Sequence, residues 1–100
     1  MKRITVEALP DEPLAAAGLF HQNWLDPIER ALVSGQHAVV TMPEADHTHD
    51  EWRSAVAAML ARKHTPLRVN LVAGEGAALD SVVEYLARAP GVTGHYLKAD

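Results

Sequence analysis

The sequence predicts an α/β domain built on a parallel sheet, and two observations predict it. Segments of strand character alternate with segments of helical periodicity along the chain. Each helical segment is long enough to carry the chain back across a sheet, which a parallel pair requires and a hairpin does not. The order reads strand, turns, helix, strand, helix, strand, helix, strand. This implies a small three-layer domain of about four mostly parallel strands with flanking helices. The right-handed crossover rule places successive helices on one face when strands add in one direction. The face of the last helix is left open here.

The elements follow in order. Ile4, Val6 and Ala8 alternate with Thr5 and Glu7, the pattern of a short strand with one buried face, ended by Pro10 and Pro13. Residues 14–24 have no single reading. Leu14-Ala15-Ala16-Ala17 suits one or two helical turns, with Gly18 as their stop. Asp26-Pro27-Ile28-Glu29 reads as a helix start, with Asp26 as N-cap and Pro27 at the first helical position. That helix passes through Leu32 and Val33 and stops at Gly35. His37 to Met42 reads as a buried strand closed by Pro43, and Glu44 to Thr48 as a polar loop.

Thr48 and Glu51 are spaced as a capping box. Trp52, Ala55, Val56, Met59 and Leu60 then form a helical stripe, with Arg53, Arg62 and Lys63 off it, mostly toward solvent. Pro66 ends the helix and the Arg68–Val72 strand follows. Leu79, Val82, Val83 and Leu86 mark the last helix, Ala77 to Arg88, ended by Pro90-Gly91. Gly94 to Lys98 closes the chain as a short strand.

Composition narrows the function classes. The 100 residues are 48% hydrophobic and carry a net charge of −4, which suits one folded domain over residues 1–100. Acids and bases are interspersed with no basic face, which argues against nucleic acid as a partner. There is no cysteine, so disulfides, thiolate catalysis and zinc–thiolate sites are excluded. Met1 to Glu7 has no apolar core of a secretory signal, and no apolar run approaches the ~18–20 residues that span a bilayer. A cytoplasmic protein without membrane contact is the expectation.

Two local texts carry a family resemblance. Leu67-Arg68-Val69-Asn70-Leu71-Val72-Ala73-Gly74 resembles the I-R-V-N-A-V-A-P-G strand of short-chain dehydrogenases/reductases (SDRs), without the proline. Val92 to Asp100 is similar to that family's closing Y-V-T-G-Q-V-L-x-V-D segment. Ile28 to Met42 is similar to the helix–Gly–strand run that precedes its catalytic segment. The resemblance covers roughly residues 26–100, with the first strand as a further candidate. It implies a Rossmann-like domain that starts near the family's fourth strand and lacks the nucleotide-binding half.

The departures bear on activity. Family members carry a Gly-rich turn after their first strand, where the backbone approaches the cofactor pyrophosphate. They also carry a Tyr-x-x-x-Lys pair for proton transfer. By resemblance that pair belongs between Pro43 and Ala57, where there is no Tyr and no Lys. Tyr85 and Tyr96 have no Lys four residues later, and the family's substrate loop is reduced to Glu75-Gly76. The expectation is a domain without cofactor and without the family chemistry. In the family, the helices matching 26–34 and 48–63 commonly pack as a four-helix contact between subunits. The resemblance thus implies a homodimer or higher oligomer, or an unknown protein partner. Trp52, Ala55 and Met59 lie at the contact, and Ala57, Ala58 and Ala61 permit close approach.

The remaining constellations each have two readings. Asp46-His47-Thr48-His49-Asp50 offers His47 and His49 as ligands of a divalent metal, provided the loop folds around the ion; otherwise it is a polar loop leading into a capped helix. Gly74-Glu75-Gly76-Ala77-Ala78-Leu79 lacks the third glycine of a dinucleotide fingerprint; it is either an anion-holding helix start or a tight turn. Trp24 either packs or lines a cleft. Ser34, Ser54 and Ser81 lie in helical contexts, so no hydrolase triad is indicated.

Three functions compete. The first is a non-catalytic module acting through oligomerisation or partner binding. The second is a small-molecule or nucleotide-binding domain using the Pro43–His49 and Gly74–Gly76 loops, with Glu44, His47, His49, Gly74 and Gly76 as its contacts. The third is a metal-assisted enzyme centred on His47 and His49.

Overall fold

A computed structural model describes all 100 residues. β1 (Lys2–Thr5), β2 (Ala38–Met42), β3 (Val69–Ala73) and β4 (Tyr96–Lys98) form one sheet in the order β1-β2-β3-β4. Every pairing is parallel, as the alternation of elements predicts. β2 and β3 are buried at all positions, because parallel strands are covered on both faces.

Alternate residues divide the two layers. Val40, Met42, Val69 and Leu71 face α1 (Pro13–Asn23), α2 (Leu25–Val33) and α3 (Asp50–Lys63), meeting Phe20, Ile28, Leu32, Val56 and Leu60. Val39 and Val72 face α4 (Gly76–Ala87), meeting Leu79 and Leu86. The strands add in one direction, so the β3–α4–β4 connection has the opposite hand to the two before it. The usual crossover rule does not hold there. The physical gain is cover: with α4 alongside the others, this second face of the sheet would be bare. No helix is long and apolar enough to cross a membrane.

Five local expectations are corrected. β1 ends at Thr5, leaving Ala8 exposed, although Val6 stays buried and bonds Thr41. Gly18 does not stop α1, which runs to Asn23. Glu12 caps its start by accepting from the N–H groups of Leu14 and Ala15, Pro13 takes the first position, and burial of Ala16 and Phe20 outweighs a mid-helix glycine that costs about 1 kcal/mol. Asp26 does not cap α2. Only Trp24 separates α1 from α2, and it holds helical angles, so Asp26 falls in the first turn and pairs with Arg30.

Thr48 is not the cap of α3. Asp46 accepts from its N–H at 3.0 Å and caps a short 3-10 turn, His47–His49, that runs straight into α3. The buried stripe of α3 is Arg53, Val56, Ala57 and Leu60, with Ala55 exposed and Met59 51% exposed. Arg53, expected toward solvent, is among the most buried side chains. Close approach of the loop before β4 favours this roll: a Cβ on Gly94 would lie 3.1 Å from that of Ala61. Gly35, by contrast, ends α2 as expected, with φ at 94°.

Polar groups pin the strand ends. Asn70 donates to Val92 O at 3.0 Å and accepts from His95 N at 3.0 Å, which holds the loop before β4. Arg68 donates to the carbonyls of Leu86 and Ala89 at the C-terminus of α4, where the helix dipole favours a cation. His37 Nδ1 accepts from Arg68 N at 2.8 Å. Burial, and then the charge of Arg68, hold His37 below its usual 6.5.

Two predictions follow from these pins. Asn70→Ala strands two loop groups and should cost about 1–3 kcal/mol in urea unfolding, set by the price of unpaired buried groups. The lowered His37 value means that its contribution is complete above 6.5 and fades as pH falls through the folded-state value below it. Unfolding curves across that range should show the loss in the native sequence. His37→Gln, whose amide oxygen accepts at every pH, should lack that component.

Candidate functional site

The carboxyl ends of the four strands form one continuous edge, where open α/β sheets bind ligands. Three adjoining clefts lie along it. The first, about 440 Å³, lies between Glu44–Asp46 and Lys98–Asp100. The second, about 360 Å³, lies between Leu9–Asp11 and Pro43–Asp46, with His49 and Arg53 in its wall. The third, about 340 Å³, is bounded by Thr5–Glu7, Thr41–Pro43 and Gly74–Gly76.

Four of the five candidate residues, Glu44, His49, Gly74 and Gly76, border these clefts but divide among them, and His47 borders none of the three. Glu44 is exposed and borders the first two. Gly74 and Gly76 border the third, with φ at 148° and 63°. Both angles lie in the left-handed region that favours glycine. A Cβ on Gly74 would also lie 2.9 Å from Ala99 Cβ and 3.1 Å from Ala99 O. These glycines thus have a steric reason to be glycine. Glu75 precedes α4 without capping it.

The histidine pair does not gather. His49 is buried, its Nε2 lying 2.9 Å from Asp11 O and its Nδ1 accepting from Trp52 Nε1 at 3.1 Å. Both ring nitrogens are therefore engaged within the protein, and the pattern assigns the proton to Nε2. His47 is exposed, and no group of three or more potential ligands stands together anywhere in the chain. His49 instead ties the β1–α1 loop to α3.

Charge along the edge is mostly negative. Two hydrogen bonds from Thr48, the hydroxyl first and the backbone second, hold Asp46 below the usual carboxylate value. Lys98 is raised by its hydrogen bond to Asp50, an ion pair at 2.8 Å that links β4 to α3.

Arg53 is the residue that the sequence reading missed. It is 1% exposed, and its Nη1 donates to Pro43 O at 2.9 Å and to Tyr96 Oη at 3.1 Å. The rings of Trp52 and Tyr96 lie 5.4 and 5.6 Å from its Cζ, within cation–π range. A signal was present: Arg53 is in helical phase with Val56, Ala57 and Leu60. Its charge masked that phase.

Of the predicted contact residues, Trp52 packs within the chain, 5.4 Å from the Phe20 ring and against the main core. Ala55 and Met59 are exposed on the outer side of α3.

Parallel strands with helices on both faces and clefts at the carboxyl edge define a Rossmann-like α/β domain. The family profile described as SDR-like, short chain dehydrogenase-like protein, matches residues 4–99. The chain belongs to this SDR-like family. The match includes the first strand, beyond the span that the local motifs carry. No curated protein and no solved structure matches the chain significantly.

The close approach at Gly74 yields a prediction. Gly74→Ala should lower the thermal midpoint and disturb the β4 end at Ala99, read as loss of dispersion at Ala99 in an NMR spectrum. Gly76→Ala meets no neighbouring atom and should cost only its backbone strain, about 1–2 kcal/mol.

Proposed function

We propose that this SDR-like domain is non-catalytic and acts by assembly, pairing with a second copy through the outer face of α3. The observation that carries this reading is an apolar surface on the three-helix layer. Ala55 and Met59 stand bare on α3, and Met59 borders a groove of about 240 Å³ lined also by Leu25, Val56 and Leu60, with His21, Glu29 and Lys63 as its polar border. A small residue next to a flexible thioether suits close helix packing.

Three further features support it. The segment that should hold the family's Tyr-x-x-x-Lys pair holds the inward-facing Arg53 instead. The turn between β3 and α4, Gly74-Glu75-Gly76, lacks the third glycine of a dinucleotide fingerprint. The free edge of β1 is flanked by the exposed charges of Lys2 and Glu7, which discourage edge pairing and leave the helical layer as the better contact.

A second reading, a ligand-binding domain, is favoured by one observation. The Pro43–His49 and Gly74–Gly76 loops meet at Pro43, which borders two of the edge clefts.

Light scattering tests the assembly reading. At micromolar concentration the chain should have twice its 10.8 kDa monomer mass. Met59→Lys should return it to monomer with an unchanged circular dichroism spectrum, because Met59 is already half exposed. A monomeric native sequence overturns the reading.

A further inference from the structure

Arg53 is a buried charge without a counter-charge. None of the ion pairs in the chain includes it. Both of its hydrogen bonds leave from Nη1. Nε is buried and has no hydrogen-bond partner. Nη2 also donates to no protein atom. In a planar guanidinium, Nε–H and Nη2–H lie on the same edge and point in parallel. That edge is the fork a carboxylate fills side-on with two hydrogen bonds. A guanidinium removed from water is costly unless its donors are met. Here Nη1 is met twice, whereas Nε, shielded from solvent, and Nη2 have no protein partner.

The surroundings narrow what fills it. Arg53 borders the second cleft, whose rim carries the exposed carboxylates of Asp11, Glu44 and Asp46. His49, also in the wall, has no free nitrogen to offer. A phosphate or other multiply charged anion would meet three negative groups on its way to one positive group. A simple cation would be drawn to the rim but would face the guanidinium inside. A molecule with a carboxylate at one end and an ammonium at the other satisfies both. Leu9, Pro10 and Ala45 supply apolar wall between them. At about 360 Å³ the cleft is large enough for a free amino acid.

We propose that this cleft binds a small amino-carboxylate. The ligand carboxylate lies side-on against Nε and Nη2 of Arg53, and its ammonium group sits among Asp11, Glu44 and Asp46. The proposal rests on the ligand-binding reading of the sheet edge and names the ligand class.

The test is an NMR titration of the full chain that follows the Arg53 Nε–Hε resonance. The probes are leucine, 4-methylpentanoate (leucine without its ammonium) and isopentylamine (leucine without its carboxylate). Leucine should move the Arg53 resonance and bind at least about tenfold more tightly than either half-molecule, since each charged contact contributes separately. Arg53→Lys removes the fork and should weaken leucine by about tenfold or more. Glu44→Gln lies on the surface, does not threaten folding, and should weaken leucine while leaving 4-methylpentanoate as tight or tighter, because one repelling carboxylate is gone. An unmoved Arg53 resonance overturns the proposal, as does equal binding of leucine and 4-methylpentanoate. Nicotinamide nucleotide binding at this edge without leucine binding also overturns it, while leaving the broader ligand-binding reading intact.

Discussion

The β2–β3 pair is the constraint on which the rest of the chain depends. Both strands are buried at every position, so each of their faces needs an apolar cover. Three helices supply one cover. The other can come only from the segment between β3 and β4, because everything earlier in the chain is already committed. α4 therefore crosses to the far face and accepts a connection of the uncommon hand. Its anchors show how this is stabilised: Arg68 at the start of β3 donates to the C-terminal carbonyls of α4, and Arg3 on β1 pairs with Asp80 at 3.0 Å. The exposed Arg3–Asp80 pair contributes little energy. It does place α4 across the sheet as far as β1.

The strand order was legible because it depends on few decisions. Alternating strand and helix text leaves little but a parallel sheet, and Gly35 and Pro43 are stops with clear physical causes. Helix boundaries were less legible wherever two local signals competed. Gly18 is a helix breaker in isolation, but Phe20 two residues later is wholly buried, and tertiary burial outweighs the local preference. Asp26-Pro27 reads as a start, yet α1 arrives only one residue before α2 and leaves no room for an extended cap. Thr48 and Asp46 both offer a capping oxygen, and the choice between them rests on the 3-10 turn, which residue spacing does not encode.

The candidate site was half legible. That the Pro43–His49 and Gly74–Gly76 loops share an edge follows from parallel topology alone, since every strand ends at the same side. Their division among clefts that share only Pro43 does not, because it depends on how the loops pack in three dimensions. His49 illustrates the same limit. A histidine between carboxylates reads as a metal ligand until both of its nitrogens are placed, and Asp11 O is thirty-eight residues away in sequence. Arg53 was hidden for the opposite reason. A charge on an apolar phase is normally a solvated exception. The partners that make its burial tolerable, Tyr96 and the Pro43 carbonyl, come from β4 and the end of β2.

The inner and outer faces of α3 are one fact seen from two sides. The stripe centred on Trp52, Val56 and Met59 and the stripe centred on Arg53, Val56 and Ala57 differ by a roll of about 80° at 3.6 residues per turn. In the first roll Met59 is core and Arg53 is solvated. In the second Arg53 is held by Pro43 and Tyr96, and Met59 is left outside. Both ends of α3 fit this second roll: at the carboxyl edge Trp52 turns its Nε1 to His49 with its ring near Arg53, and at the other end Gly94 admits Ala61. An apolar residue is thus exposed on the helical layer because a charged one is drawn toward the edge clefts. The surface available for assembly and the fork available for a carboxylate have a common origin in that roll.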